Sequence, residues 1–417
     1  GIIDALIDDP AIGAGVSFHD AGEVIAALID RAILFDIGEE PGTRYRSRMA
    51  EGVRLLFRLR QLFPQHRGPI GWQTAPTLVA DFRFIWRRRR YPRRDIDAAA
   101  ALARIAAATA DQSARAALSA LVESYGPAFA LAGFQVDAAA RILGGFEGSQ
   151  SIATLVSAGT GSGKTLAFYL PALSRVASHI QRDADGDRWV KVLALYPRNE
   201  LLKDQFAEAF RMARTIDQTL AAHGRRPLII GALFGKTPTR ATRQELIDKS
   251  WVRRGEDFVC PWMRCPRCDD ELVWRGVDIA ATTERLACVQ PGCGQMIGDD
   301  QIVLTRTRLQ RIPPDILFTT TEILNQRLSD HWMRGLFGVG LPLGRKPLLA
   351  LLDEVHTYEG GTGAQAALTL RRWRHLLAAP ISWVGLSATL GDAARFFSDL
   401  TGAALDDVVE ITPTLEE

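Results

Sequence analysis

Three groups of residues in this sequence have types and spacings suited to chemistry. The first is the run Ala158-Gly159-Thr160-Gly161-Ser162-Gly163-Lys164-Thr165. Glycines at 159, 161 and 163 permit a backbone that curls around an anion. Its N–H groups, together with the start of a following helix, suit phosphates. In that geometry Lys164 reaches the terminal phosphates of a nucleotide and the Thr165 hydroxyl ligates Mg²⁺. Ala158 stands where the strict motif has glycine, so the pattern is the variant A-x-x-G-x-G-K-T. The second group is Asp353-Glu354-Val355-His356, which follows the apolar run Leu348–Leu352. There Asp353 would hold Mg²⁺ through water, Glu354 would orient and deprotonate an attacking water, and His356 would couple the site to its neighbours. The third group is the cysteines, all five of which lie between Cys260 and Cys293. Cys265 and Cys268 form C-x₂-C, and Cys288 and Cys293 form C-x₄-C. Two such knuckles at this separation fit a four-thiolate zinc site, against the alternative of free thiols in a loop-rich insertion. Cys260 is either a substitute for Cys265 or a bystander.

Several further residues are candidates by position. Gln135 precedes Lys164 by 29 residues, and its amide offers both a donor and an acceptor to adenine. Pro197 and Arg198 follow the apolar run Val192–Tyr196, and Gly235 and Lys236 follow Leu228–Leu233. Thr319 and Thr320 end a third run, where hydroxyls suit nucleic-acid phosphates. Helix capping by a threonine is a compatible second role. Ser387, Ala388 and Thr389 close the run Trp383–Leu386 and would relay between Asp353–His356 and a bound strand. Residues Trp86 to Arg94 interleave aromatic rings with guanidinium groups. That stretch reads either as a nucleic-acid contact or as a basic surface that is solvated or paired with acids. Trp262, Arg264 and Arg267 leave the same choice between an exposed contact and packing on the core.

Positioning these residues requires a particular frame. Buried, β-prone runs alternate with helical stretches, as in an α/β fold with a parallel sheet and helices on both faces. Ligands of such sheets sit at the carboxyl ends of the strands, where the candidate residues fall. Residues 1–112 read as a helical accessory region, with amphipathic stretches over Ala21–Phe35 and Arg44–Leu62. An alanine-rich connector helix follows over Asp95–Ser124. Residues 113–417 read as the ATP-binding lobe, with residues 251–300 as a zinc-binding insertion within it. A length of 417 residues accommodates two or three such units. A net charge of +2 decides nothing about nucleic acid. No apolar run approaches the roughly 20 residues of a membrane span. No signal peptide is visible, and clustered cysteines favour metal over disulfides, which points to a reducing, cytoplasmic setting. The absence of an initiator Met reads as a processed chain or a fragment.

Taken in order, Phe134-Gln135, Ala158–Thr165, Pro197–Leu201, Thr319–Glu322, Asp353–His356 and Ser387–Thr389 resemble the Q motif and motifs I, Ia, Ib, II and III of superfamily 2 DEAD/DEAH-type helicases. The resemblance covers about residues 130–400. His356-Thr357-Tyr358-Glu359-Gly360, with Gly363, Gln365, Arg371 and Arg372, resembles the DNA helicases of the bacterial MrfA/Lhr-like branch. The arginine/aromatic stretch together with the cysteine insertion is similar to DpdJ-type helicases of bacterial defence islands. The resemblance implies a RecA-like fold, ATP and Mg²⁺ held between two such lobes, and translocation on DNA from 3′ to 5′. The sequence ends at Glu417, soon after Thr389. The expectation is that a second RecA-like lobe, in a longer chain or a partner subunit, supplies an arginine finger. Such a group contributes about 10³–10⁵ in rate, so the chain alone is expected to bind ATP weakly and hydrolyse it poorly. Competing readings are a non-hydrolysing nucleic-acid-binding module with ATP as a structural ligand, and an ATPase acting on RNA or protein. Lys164, Asp353 and Glu354 favour the enzyme, since binding alone would not require all three.

Overall fold

Runs of Val, Leu, Ile and Ala five residues long become strands when both their faces are covered. The computed structural model describes residues 20–58, 92–146 and 151–414, apart from Ala32, Glu39, Pro41, Thr43, Thr160, Ala184, Asp185, Asp187, Arg198 and Thr389. Its main sheet has eight strands: β1 (Ala153–Ser157), β2 (Val192–Tyr196), β3 (Ile230–Leu233), β4 (Ile302–Val303), β5 (Ile316–Thr320), β6 (Leu349–Leu352), β7 (Ser382–Ser387) and β8 (Val408–Ile411). Their order across the sheet is β4-β3-β5-β2-β6-β7-β1-β8, and every pairing is parallel. Parallel neighbours need crossovers, and crossover helices cover both faces. The period-2 alternation of side chains divides each strand between two cores. Val156 and Ala194 join one hydrophobic cluster, whereas Leu155, Leu193 and Leu195 join the other. This is the RecA-like α/β fold expected from the sequence.

The helices that matter for the site are α1 (Gly133–Gly144), α2 (Lys164–Arg182), α3 (Asn199–Ala222), α4 (Arg243–Asp248), α5 (Arg306–Arg311), α6 (Thr321–Leu328) and α7 (Gly360–Leu377). Between β3 and β4 the chain leaves the sheet to form a five-stranded antiparallel meander. Its strands are Arg253–Arg254, Asp257–Val259, Leu272–Trp274, Leu286–Cys288 and Met296–Ile297. Trp262 is fully buried and anchors this insertion to the lobe, with its ring 5.9 Å from Phe234 and 6.4 Å from Phe206. Trp251 packs edge-on against it at 5.3 Å.

The chain divides into two compact units, Gly1–Arg89 and Arg90–Glu417. In the first, Asp20 caps a helix over Ala21–Asp30 by accepting from the Glu23 N–H. The expected helix is shorter than Ala21–Phe35, because Leu34–Asp36 pairs antiparallel with Tyr45–Ser47 instead. A helix over Arg48–Arg58 follows. In the second unit, the alanine-rich stretch is two helices, Ala98–Ala106 and Gln112–Glu123, each started by an aspartate cap, Asp97 and Asp111. It is not a bare connector. Ala114, Ala117, Leu118 and Leu121 are buried in the same core as Phe168 and Leu170 of α2. Asp111 also accepts from Arg175 of α2 at 3.0 Å and from the Ser178 hydroxyl.

Candidate active site

β1 is buried along its whole length and delivers the glycine run to the carboxyl edge of the sheet. Gly161 and Gly163 adopt φ of +81° and +83°, conformations that glycine takes without a Cβ penalty. Gly163 caps α2, so Lys164 is the first helical residue and its Nζ donates to the Ala158 carbonyl at 2.7 Å. β6 ends in the same way: Leu349–Leu352 are buried, and Asp353 and Glu354 follow. In sheet order β7 lies between β6 and β1. Its last residue, Ser387, and the following Ala388 therefore sit between the glycine loop and the acidic pair. Asp353 is nearly buried and accepts from the Glu354 N–H at 2.8 Å. Burial pushes its carboxyl up to about 6, with the Glu354 charge adding to the rise and Lys164 opposing it. Burial also lowers Lys164, against the pull of Glu354 and Asp353. The two sites thus feel each other electrostatically.

Glu354 itself takes a left-handed conformation, φ +49°. His356 Nδ1 lies 3.3 Å from Glu354 Oε2, 3.5 Å from Ser387 Oγ and 3.4 Å from the Ala388 N–H. A single nitrogen cannot accept from Ala388 and donate to Glu354 at once. The tautomer of His356 therefore decides which neighbour Nδ1 holds, and either choice links β7 to the acidic pair. Thr165 Oγ1 is 3.4 Å from the Gln205 amide of α3. A triphosphate with Mg²⁺ fits these residues. Among the described residues Ser162 Oγ is buried without a partner and Gly159 has open space where a Cβ would stand, and Lys164, Thr165 and Asp353 supply a cation, a hydroxyl and a carboxylate. Thr160 and Thr389 lie outside the described residues.

Gln135 is fully buried. Its Oε1 accepts from the Ala132 N–H at 2.9 Å and its Nε2 donates to the Gly163 carbonyl at 2.8 Å. The amide therefore ties the first turn of α1 to the glycine loop. A Cβ added at Gly163 would fall 2.7 Å from that Nε2 and 2.8 Å from Arg94 Nη2. Arg94 is thus at the loop as well. Within the Trp86–Arg94 stretch, Trp86–Tyr91 lie outside the described residues. Sequence reasoning treated the stretch as one basic patch, and nothing in its composition singled out the last arginine.

A second cavity of about 470 Å³ opens at the ends of β2, β3 and β5. Pro197, Gly235 and Thr320, which the sequence offers as strand contacts, line it. Lys249, Arg306 and Arg327 line it too, and sequence reasoning passed over all three. Thr320 accepts from the Ile323 N–H at 3.2 Å and so caps α6. Thr319 is fully buried and its hydroxyl donates to the Leu233 carbonyl at 2.7 Å, within the sheet. Lys236 is exposed beside Gly235, and its carbonyl accepts from Trp251 Nε1 at 2.9 Å. Arg198 lies outside the described residues.

Residues 134–251, from just before Gln135 to the edge of the insertion, match the DEAD/DEAH box helicase family. The Druantia protein DruE of Escherichia coli (strain UMEA 4076-1) is 26% identical over 299 residues, covering 63% of this chain and 16% of DruE. The Lhr helicase/uracil glycosylase of Escherichia coli (strain K12) is 38% identical over 98 residues, covering 23% of this chain and 6% of that protein. The chain therefore spans a small fraction of the length of these relatives. Among solved structures, the DUF1998 helicase MrfA is 16% identical, covering 71% of this chain and 32% of MrfA, with a TM-score of 0.43.

The insertion gathers the cysteine pairs. The Sγ atoms of Cys265, Cys268, Cys288 and Cys293 all lie within 4.8 Å of one another. Cys265 and Cys293 are 3.7 Å apart, and Cys268 and Cys288 are 3.4 Å apart. Zinc–sulfur bonds of about 2.3 Å in a tetrahedron separate the sulfurs by about 3.8 Å, so the quartet fits that ion. Arg267 donates to the Cys293 carbonyl at 2.8 Å and braces one knuckle against the other. Cys260 is outside the quartet, and burial pushes its thiol up to about 11. Of its two readings, bystander is the one that holds. Among the described residues no helix is long and apolar enough to cross a membrane.

Proposed function

We propose that this chain is the ATP-binding lobe of an ATP-dependent DNA helicase or translocase. The reading rests above all on one juxtaposition: a glycine loop with Lys164, and a strand end with Asp353 and Glu354, meet at one edge of a parallel sheet, beside a cation-lined groove. Lys164 and the loop N–H groups of Gly159 to Gly163 hold the ATP phosphates. Thr165 and Asp353 would hold Mg²⁺, which when bound would supply positive charge against the phosphates. Glu354 is the base for the attacking water, and Gln135 recognises adenine once its amide exchanges partners. His356, Ser387, Ala388 and Thr389 couple hydrolysis to the bound strand. Pro197, Arg198, Gly235, Lys236, Thr319 and Thr320 form or support the surface that meets that strand. Cys265, Cys268, Cys288 and Cys293 hold a structural zinc, and a second RecA-like lobe completes the transition-state site.

The test is Glu354→Gln, with ATP binding followed by a fluorescent analogue and hydrolysis followed with and without single-stranded DNA or RNA. Binding should stay within about twofold while strand-stimulated hydrolysis falls by about 10²–10⁴, the range of a general base. Unchanged hydrolysis would remove Glu354 from this role. Stimulation by RNA but not DNA would overturn the DNA assignment.

A further inference from the structure

The insertion leaves the sheet through α4 and returns through β4 into α5. Its two roots, Lys249 immediately after α4 and Arg306 at the start of α5, both reach the groove lined by Pro197, Gly235 and Thr320. Arg306 is half-buried, and its Nε is buried without a hydrogen-bond partner among the described residues. Among the described residues the carboxylate that acts on it is Glu245, which is engaged with the Thr239 N–H at 2.9 Å. The carboxylate that lines the groove, Glu322, accepts from Gln326 at 3.2 Å. Arg327 shares the groove and is spoken for at one end by Asp330, at 3.2 Å. Burial, and then the Arg327 charge, lower the affinity of Arg306 for its proton. Three cationic side chains, Lys249, Arg306 and Arg327, thus share one groove with a single carboxylate, Glu322, an arrangement suited to an anion.

We propose that Arg306 and Lys249 hold a backbone phosphate of the bound DNA strand, so that the roots of the cysteine insertion form part of the strand-binding surface. The inference rests on the helicase reading and extends it to residues outside its motifs. A phosphodiester is the ligand of choice, since the groove continues from Pro197 and Gly235 and offers cations and hydroxyls with little apolar wall. The insertion then has a mechanical role: its fold fixes where these two cations stand.

The test measures binding of a fluorescent single-stranded DNA to the chain across a salt series, for the parent and for Arg306→Ala, Lys249→Ala and Arg306→Lys. Each phosphate contact on a single strand contributes about 0.7 to the slope of log affinity against log salt. Arg306→Ala should weaken binding by about tenfold and flatten the slope by about 0.7. Lys249→Ala should act in the same direction with a smaller effect, and Arg306→Lys should keep the parent slope. Affinity for a fluorescent ATP analogue should be unchanged in all three, which distinguishes a lost phosphate contact from misfolding. An unchanged slope in Arg306→Ala, with the parent still binding DNA, overturns this inference and leaves the helicase reading standing. A parent chain that binds ATP but no DNA overturns both.

Discussion

The two ends of the same sheet handle charge in opposite ways. Beneath the amino ends of β2, β3 and β5, Asp315 is buried among Lys191 Nζ at 2.9 Å, both terminal nitrogens of Arg226 at 2.7 and 2.8 Å, and the Ile229 N–H at 2.9 Å. Lys191 is itself fully buried, with its ammonium 3.7 Å above the Trp189 ring. Burial opposes ionisation of Asp315, but the Lys191 charge and the Arg226 hydrogen bonds outweigh it and hold the carboxyl well below its usual range. At the carboxyl ends, among the described residues, Lys164 has a carbonyl partner, Ser162 Oγ and Arg306 Nε have none, and Asp353 is pushed up rather than down. A saturated buried cluster locks strands together, whereas an unsaturated one retains capacity for a ligand. Both clusters have charged residues next to apolar strands, so composition does not tell them apart.

Breaking the saturated end should have the largest effect, and on stability. Asp315→Asn would leave Lys191 buried without its counter-charge and should cost about 3–5 kcal/mol in denaturant unfolding. A loss below about 1 kcal/mol would refute the distinction drawn between the two ends. The same carboxyl sets a pH dependence. Because its folded value is depressed, its contribution is fully present above the unfolded value of about 4 and is lost as pH falls from there through the folded value. The Asp315→Asn variant should lack this part of the acid transition.

At the other end the effect should move from stability to binding. Lys164→Ala removes a half-buried cation whose burial is unfavourable, so thermal stability should hold or rise slightly. Affinity for an ATP analogue should fall by about 10- to 100-fold, the worth of a charge-assisted hydrogen bond. A destabilised variant with unchanged affinity would make Lys164 a structural residue. The smallest effect is expected at Gly163. Alanine there must hold φ near +83° and meet Gln135 and Arg94, at a cost of about 1–2 kcal/mol. Nucleotide affinity should weaken with it, because the Gln135 tether to the loop must shift. Full stability in Gly163→Ala would mean that the loop relaxes freely around this position.

Most of the frame was legible because it depends on short-range patterns. Short apolar runs specified six of the eight main-sheet strands but not Ile302–Val303 or Val408–Ile411, glycine spacing specified the loop, and the placement of Asp353 and Glu354 after an apolar run put them at a strand's carboxyl end. The cysteine pairs were legible for the same reason, their spacing being local. The helix expected over Ala21–Phe35 failed at Leu34, where pairing with Tyr45–Ser47 overrode helical periodicity. The alanine-rich segment was misjudged for a related reason: small residues give little signal of burial, yet Ala114 and Ala117 lie in the core. Thr319 and Thr320 stand side by side in sequence, and strand alternation sends one hydroxyl into the sheet and the other to cap α6.

By itself, the sequence determined the kind of fold, the glycine loop that ends at Lys164, the acidic pair and the four thiols, because each is written in residues close along the chain. The tertiary structure alone decided what meets what. It put Arg94 against Gly163, directed both faces of Gln135 to the protein, brought Asp315 to Lys191 from 124 residues away, and set Arg306 and Lys249 on one groove. The physical reason is the crossover topology. In a parallel sheet every neighbour arrives by a long return, so the partners of a charge at a strand end are chosen by strand order and not by distance along the chain.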